Sequence, residues 1–174
     1  MACSAKKEVE KAVNTGNYDL AISNALKRLR TNKNTKRKGD YVIMLQDAFY
    51  KAAVRDLNTI DHLKKDKNPE SYRDIYEIYL DLNARQEAIK PILPLNVNGK
   101  NIPFNFTNYS NAIVDSKEKV SNYMYEKGID LLESDNKLTV REAYNTLDYL
   151  ERINPNYENT RELLDEAHQR GTDY

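Results

Sequence analysis

The sequence has no tryptophan, one cysteine, and only five glycines and five prolines in 174 residues. Few turn-forming residues argue against an all-β fold, which needs many turns, and favour long helices. A single cysteine excludes an internal disulfide. No apolar run approaches the roughly 18 residues that span a bilayer. The opening MACSAKK also lacks the apolar core of a signal peptide.

The charges cancel overall but are unevenly distributed along the chain. The 27 Lys and Arg balance 27 Asp and Glu, yet residues 1–90 hold 18 and 13, and residues 91–174 hold 9 and 14. This is not the strong basicity of a dedicated DNA-binding protein, so no nucleic-acid partner is predicted. With 40% hydrophobic and 31% charged residues, the composition is that of a globular protein.

Apolar residues recur at helical spacing through most of the chain and predict an all-α fold. Two helices are expected over 5–31, with Asn17 as the N-cap of the second, and one long helix over 40–66. Asn68 and Pro69 are suited to begin the next helix, because asparagine caps and proline fits the first turn.

The later helices carry their own boundary signals. DSKE and TVRE resemble capping boxes, which predicts Asp115 and Thr139 as N-caps. The last helix is expected to end at Gly171. Gly128 falls inside a helical pattern, which costs roughly 1 kcal/mol relative to alanine and indicates a close approach by another backbone.

Residues 92–110 break the helical period. Apolar residues alternate in LPLNVNGKNIPFNF, and Asn-Gly between alternating runs is a strong hairpin signal. We predict a short extended or β-hairpin insertion whose edge accepts a partner strand. The alternative is that its phenylalanines fill a groove between helices. The predicted partner-binding residues are Val97, Asn98, Ile102, Phe104 and Phe106.

A run of cations without any acid, KRLRTNKNTKRK, follows the second helix. It could contact anionic lipid headgroups or an acidic partner, or be an ordinary solvated loop. Aromatic residues do not alternate with the charges, which disfavours nucleic acid. The predicted basic surface patch consists of Arg28, Arg30, Lys33, Lys36, Arg37 and Lys38.

Catalytic signals are few. His62 and His168 are isolated and lie in no metal-ligand motif, and neither a phosphate-binding loop nor a nucleophile elbow is present. The sequence therefore predicts no enzymatic activity, no cofactor and no metal. The 13 tyrosines, several of them at helical spacing, are expected mainly in the core.

Two segments, GNYDLAISNALKRL and LTVREAYNTLDYLERINP, run from a turn into a helix with an alanine, Ala21 or Ala143, at a similar early position. They resemble the tetratricopeptide repeat, TPR, in which small residues lie where antiparallel helices cross. The resemblance implies helical hairpins in a single domain over residues 8–172, interrupted by the insertion.

Four stretches together resemble TPR-like outer-membrane lipoproteins of Bacteroidota: CSAKKEVEKAVNTGNYDLAI, RQEAIKPILPL, YEKGIDLLES and REAYNTLDYLERINPNYENTRELLDEAHQRGTDY. The resemblance implies lipid attachment at Cys3, a tether over residues 1–7 and further sequence after Tyr174. Because no acidic cluster follows the cysteine, it favours the periplasmic face of the outer membrane over the cell surface.

These expectations describe a non-catalytic, lipid-anchored interaction or scaffold module that binds another protein of the bacterial cell envelope. Two alternatives stay open. One is a glycan- or nutrient-binding accessory lipoprotein of an outer-membrane transporter, which would need exposed aromatic platforms. The other is a cytosolic TPR adaptor, which is expected if Cys3 carries no lipid.

Overall fold

In a computed structural model, the backbone is described for residues 2–172 and the side chains for residues 4–172. These residues form seven α-helices and one two-stranded sheet, which confirms the all-α fold with a short β-hairpin. The elements are α1 (Ala2–Asn14), α2 (Tyr18–Leu29), α3 (Gly39–Asp66), α4 (Tyr72–Ile89), β1 (Leu95–Val97), β2 (Lys100–Ile102), α5 (Ser110–Leu132), α6 (Lys137–Ile153) and α7 (Thr160–Thr172).

The chain groups into two compact units, whereas the sequence predicts a single domain over residues 8–172. Unit 1 comprises Met1–Asp66 and Ile78–Tyr109, and unit 2 comprises Lys67–Glu77 and Ser110–Tyr174. Helix α4 contributes residues to both units, so neither is a single continuous stretch of sequence.

Unit 1 packs α1, α2 and α3 around a core of small and branched apolar side chains. Gly16 has a φ of +77°, which permits the tight turn between α1 and α2. Asn17 caps α2, as predicted, and its side chain accepts a hydrogen bond from the Leu20 amide at 3.4 Å. Ala21 and Ala48 are completely buried, and such small side chains let neighbouring helices approach closely.

The insertion forms the predicted hairpin. Strand β1 pairs antiparallel with β2, with Leu95 opposite Ile102. Asn98 and Gly99 form the two-residue turn with φ values of +51° and +76°. Both positive values belong to the turn type that matches strand twist, and asparagine and glycine are the residues that adopt it most readily.

After β2 the chain continues as an extended segment that side chains hold in place. The Tyr50 hydroxyl accepts a hydrogen bond from the Asn105 amide at 3.1 Å. The Gln86 side chain donates to the Thr107 carbonyl at 2.8 Å and accepts from the Thr107 amide at 2.7 Å. Gln86 is only 4% exposed. Its side-chain amide satisfies the N–H and C=O groups of Thr107, as a neighbouring strand would do in a sheet.

Unit 2 contains α5, α6 and α7. Gly128 of α5 is buried against α6, and a Cβ atom at this position would lie 2.5 Å from Cδ2 of Leu147. A close approach is therefore present, but the nearest atoms belong to the Leu147 side chain rather than to the backbone that was predicted. Ala143 is completely buried in the same unit.

The predicted start of α5 is wrong. The helix begins at Ser110, so Asp115 lies inside it rather than at its N-cap. The additional turn places Ile113 against the apolar cluster of unit 2, and this packing stabilises helix before the aspartate. Gly171 likewise lies within α7, which continues to Thr172, so it does not end the helix as predicted.

The predicted start of α6 is also wrong. The N-cap is Asn136, whose side chain accepts hydrogen bonds from the amides of Leu138 and Thr139 at 2.8 and 3.4 Å. Thr139 is therefore a helical residue whose amide is itself capped. Asparagine is at least as good an N-cap as threonine, and here it satisfies the first free amides of the helix.

Candidate functional site

Two of the predicted basic residues support the structure. The basic loop, defined as residues 27–38, runs from the end of α2 to the start of α3. Lys38 donates to the Arg28 carbonyl and, at 2.9 Å, to the Thr31 hydroxyl, which neutralises the negative end of α2. Lys33 donates to the Ile92 and Pro94 carbonyls at 2.8 and 3.2 Å. The basic loop is thus attached to the insertion.

The other four basic residues are available to a ligand. Arg28, Arg30, Lys36 and Arg37 are exposed, and none forms an ion pair with a carboxylate among the described residues. Unit 1 as a whole contains 17 Lys and Arg against 10 Asp and Glu, and unit 2 contains 10 against 17. The charge imbalance of the sequence is therefore larger between the units than between the halves of the chain.

The basic loop borders two open clefts. One cleft, of about 610 Å³, lies between the loop and the hairpin turn, where Gly39 leaves room for Val97; it is lined by Asn34, Thr35, Lys36, Gly39, Asn96, Val97, Asn98 and Gly99. The other, which we call the arginine cleft, is lined by Lys27, Arg28, Thr31, Arg37, Lys38 and Tyr41. Two features that the sequence predicted separately, the hairpin and the basic patch, therefore lie side by side.

The start of α1 belongs to the same end of unit 1. Lys6 forms an ion pair with Asp40 at the start of α3, with the two charged atoms 2.6 Å apart. Residues 4–7, which the sequence analysis assigns to a tether, are part of α1. Cys3 precedes Lys6 by three residues, but its side chain lies outside the described side chains, so its lipid attachment stays a prediction.

The predicted partner-binding residues of the insertion have two different environments. Asn98 is exposed at the turn, and Val97 is half-buried against Gly39. Like Val97, the other three, Ile102, Phe104 and Phe106, are half-buried and pack on the core of unit 1. Both phenylalanine rings contact Phe49, with ring centroids 5.8 and 5.9 Å apart.

The hairpin edges have little backbone left for a partner strand. Pro94 precedes β1 and Pro103 follows β2, and neither residue has an N–H group to donate. The carbonyl of Pro94 accepts from Lys33, and that of Pro103 accepts from Gln46 at 2.8 Å. Strand addition is therefore limited to the few residues between the two prolines.

An exposed apolar stripe lies along α3 and was not predicted. Ile43, Val54 and Leu57 are 46, 61 and 42% exposed. Their spacing places them on one face of the helix, together with Tyr50, whose hydroxyl binds the insertion. Large exposed apolar residues on one face are typical of surfaces that bind other proteins. The sequence showed a broad apolar pattern in this helix, but not which of its faces the core leaves uncovered.

An ion network that is buried at Arg85 and Asp56 and exposed at Asp19 and Arg55 joins α2, α3 and α4 within unit 1. Arg85 donates to both oxygens of Asp19, at 2.6 and 3.2 Å, and to Asp56 at 2.6 Å. Arg55 donates to the other oxygen of Asp56 at 2.8 Å. The hydrogen bond from Arg85 is the main cause that lowers the pKa of Asp19 below its ordinary value. The only sequence signal for this network was an arginine among the buried positions of α4.

Unit 2 holds a smaller polar cluster. Glu70 accepts hydrogen bonds from the Tyr123 hydroxyl and, at 3.0 Å, from Lys127. Burial, and then the neighbouring Glu70, raise the pKa of Tyr123 to about 12. The hydroxyl therefore stays protonated at neutral pH, which fits a structural hydrogen-bond donor.

The two histidines belong to different units. His62 lies 3.8 Å from the Asp66 carboxylate on the surface of α3, and the His168 ring is 5.9 Å from the Tyr144 ring in unit 2. Within residues 4–172, no group of three His, Cys, Asp or Glu side chains is arranged to hold a metal ion. None of the helices described is both long and apolar enough to cross a membrane.

Comparison with known protein families, curated proteins and solved structures gives no match to this chain.

Proposed function

We propose that the chain is a non-catalytic, lipid-anchored interaction module of the bacterial cell envelope. In this proposal Cys3 carries the lipid, and unit 1 binds another envelope protein through one side of α3. The envelope setting comes from the sequence resemblance to TPR-like lipoproteins. The observation that supports protein binding is the exposed apolar stripe of Ile43, Val54 and Leu57 beside the insertion.

The stripe is a better candidate for the centre of the interface than the insertion alone. Interfaces between proteins are organised around apolar side chains that become buried, with polar groups at the rim. The stripe supplies such side chains, whereas Phe104 and Phe106 already pack on the core. The insertion borders the stripe through the hydrogen bond between Tyr50 and Asn105, so its exposed polar residues would form part of the rim.

A photo-crosslinking amino acid at Val54 tests the interface in cells that naturally produce the protein. The matched control position is His62, which lies on the same helix away from the stripe and has a side chain 77% exposed. One abundant adduct from Val54 and none from His62 is expected, and Leu57→Glu should weaken it. Equal labelling from both positions, or no adduct from Val54, would contradict the interface.

The anchor is tested separately by metabolic labelling with a radioactive fatty acid. The full gene product should be labelled, and Cys3→Ser should abolish the label and release the protein from membranes. Ser4→Ala is the matched control and should change neither. If the unaltered protein takes up no label, the anchor is wrong, while the α3 interface can still be assessed by crosslinking.

A further inference from the structure

The basic loop has a composition suited to a membrane surface rather than to a protein. It contains seven Lys and Arg and no acid. The large exposed apolar residues of unit 1 lie elsewhere, at Leu20, Ile43, Val54, Leu57 and Leu80. A protein partner generally needs apolar groups at the centre of its interface. Phospholipid headgroups need only charge and hydrogen-bond donors.

The arginine cleft brings cationic side chains together. Lys27, Arg28 and Arg37 line it with Lys38, and Tyr41, which is 8% exposed, completes the lining with Thr31. Arginine binds phosphate oxygens through paired N–H groups. The positive end of the 28-residue helix α3 lies next to the loop, and Lys38 neutralises the negative end of α2. The local field therefore favours an anion.

The position of α1 places the N-terminal part of the chain at the same end of unit 1 as the basic loop. Because Lys6 is paired with Asp40, the start of α1 and the end of the basic loop are held at the same end of unit 1. We propose that this basic end binds the phosphate groups of an anionic phospholipid surface, with the arginine cleft receiving a headgroup. This inference goes beyond the proposed function and does not require a lipid on Cys3.

The first test uses the unlipidated chain and vesicles in a sedimentation assay. Phosphatidylethanolamine vesicles with about 30 mol% phosphatidylglycerol should bind it, and phosphatidylcholine vesicles should not. Binding to the anionic vesicles should fall steeply between about 0.05 and 0.3 M NaCl, because salt screens exposed charges. Equal binding to both kinds of vesicle would overturn the proposal.

The second test separates this surface from overall charge. The triple variant Arg28→Gln, Lys36→Gln and Arg37→Gln should bind anionic vesicles about a hundredfold more weakly, since each cation near a membrane contributes about fivefold. The matched variant Lys11→Gln, Lys51→Gln and Lys65→Gln makes the same charge change on exposed positions of α1 and α3. It should keep most of the affinity. Equal losses in the two variants would show that net charge alone decides, and would refute the site.

The third test measures which end of unit 1 faces the lipid. The chain has no tryptophan, so one introduced indole is a unique fluorescent probe. Asn34→Trp, in the basic loop, should be quenched by brominated lipids. Leu57 lies about 27 Å along α3 from Gly39, where the helix begins, as calculated from the helical rise. Leu57→Trp should therefore not be quenched. Stronger quenching at position 57 would overturn the orientation.

Inorganic phosphate distinguishes a membrane surface from a soluble phosphate ligand. If the site serves a membrane, phosphate should release the chain from vesicles no better than chloride at the same ionic strength. If low phosphate concentrations release it selectively, the cleft is a site for a free phosphate compound, and the membrane proposal fails. No assay in this series involves the protein partner or a lipidated Cys3, so failure here leaves the proposed function intact.

Discussion

The packing of Gly128 shows how a single atom can decide stability. Adding a Cβ atom would bring it within 2.5 Å of Cδ2 and 2.7 Å of Cγ of Leu147, which is completely buried. The alanine gains helix propensity of roughly 1 kcal/mol. Forcing a methyl group into a packed core costs about 1–3 kcal/mol. Both atoms belong to one branched side chain, so Leu147 must move as a whole, and the cost should exceed the gain.

We therefore expect Gly128→Ala to destabilise unit 2 by about 1 kcal/mol in urea denaturation followed by circular dichroism. Asn122→Ala, at an exposed position of the same helix, is the control and should be neutral or slightly stabilising. In the background of Leu147→Val, the alanine should become less harmful. If it is equally harmful there, the two residues are not coupled as the distance indicates.

Arg85 is a buried charged residue whose ion pairs contribute to the stability of unit 1. Its side chain is 7% exposed and bridges Asp19 and Asp56. Removing it by Arg85→Met leaves Asp56 buried with only its bond to Arg55, so we expect a loss of about 3 kcal/mol in the free energy of unfolding. The double variant Arg85→Met with Asp56→Leu should recover part of that loss, because no buried charge is then left uncompensated. A double variant no more stable than the single one would contradict this account.

The same network makes a prediction about pH. Because Asp19 has a lowered pKa in the folded state, its ionised form adds stability above the ordinary aspartate pKa of about 3.9. That stability is lost as the pH falls through the lowered folded value. Arg85→Met removes the main cause of the shift, so the variant should lose less stability than the parent on acidification below pH ~4. Urea midpoints compared across this range measure the difference.

At the scale of elements, the start of α6 offers a direct comparison of two candidate caps. The structure assigns the cap to Asn136, whereas the sequence pattern assigned it to Thr139. Asn136→Ala should cost about 1 kcal/mol, and Thr139→Ala should be nearly neutral because threonine inside a helix gives no cap. Thermal unfolding of both variants measures the difference. The opposite ranking would support the helix start predicted from sequence.

This comparison also shows what local sequence can predict. The helices of unit 1 and the Asn98-Gly99 turn follow from spacing and from backbone preferences, so they were predicted with nearly correct boundaries. The starts of α5 and α6 were not, because several neighbouring residues can cap a helix and tertiary packing chooses among them. The pattern of one segment cannot show that α5 gains an additional N-terminal turn because Ile113 packs on the apolar cluster of unit 2.

The candidate surfaces depend still more on contacts between distant segments. Asp19 and Arg85 are separated by 66 in sequence number, and Lys33 and Ile92 by 59, so local sequence patterns cannot reveal these contacts. The basic patch was visible as composition, but its division into structural and free cations was not. The apolar stripe was hidden for a related reason: which apolar residues of α3 are covered depends on what packs against them.

At the scale of the whole molecule, the main feature is the distribution of charge between the two units. The sequence is neutral, with a calculated isoelectric point of about 6.8. Unit 1 nevertheless carries seven more positive than negative side chains, and unit 2 carries seven more negative ones. A net charge near zero removes the repulsion that keeps copies of a protein apart, and opposite local charges attract. Unit 1 of one copy should therefore attract unit 2 of another.

We expect reversible self-association at low ionic strength that disappears at physiological salt. The screening length is about 30 Å at 0.01 M and about 8 Å at 0.15 M, so the attraction between units is long-ranged only in the first condition. Sedimentation velocity at several concentrations measures it. Replacing Arg28, Lys36 and Arg37 by glutamine should weaken the association. Replacing Lys117 and Lys119 of unit 2 by glutamine should not, because it makes that unit more negative. A chain that stays monomeric at low salt would show that the excess charges are too dispersed to act between molecules, which would also weaken the case for a membrane-binding basic end.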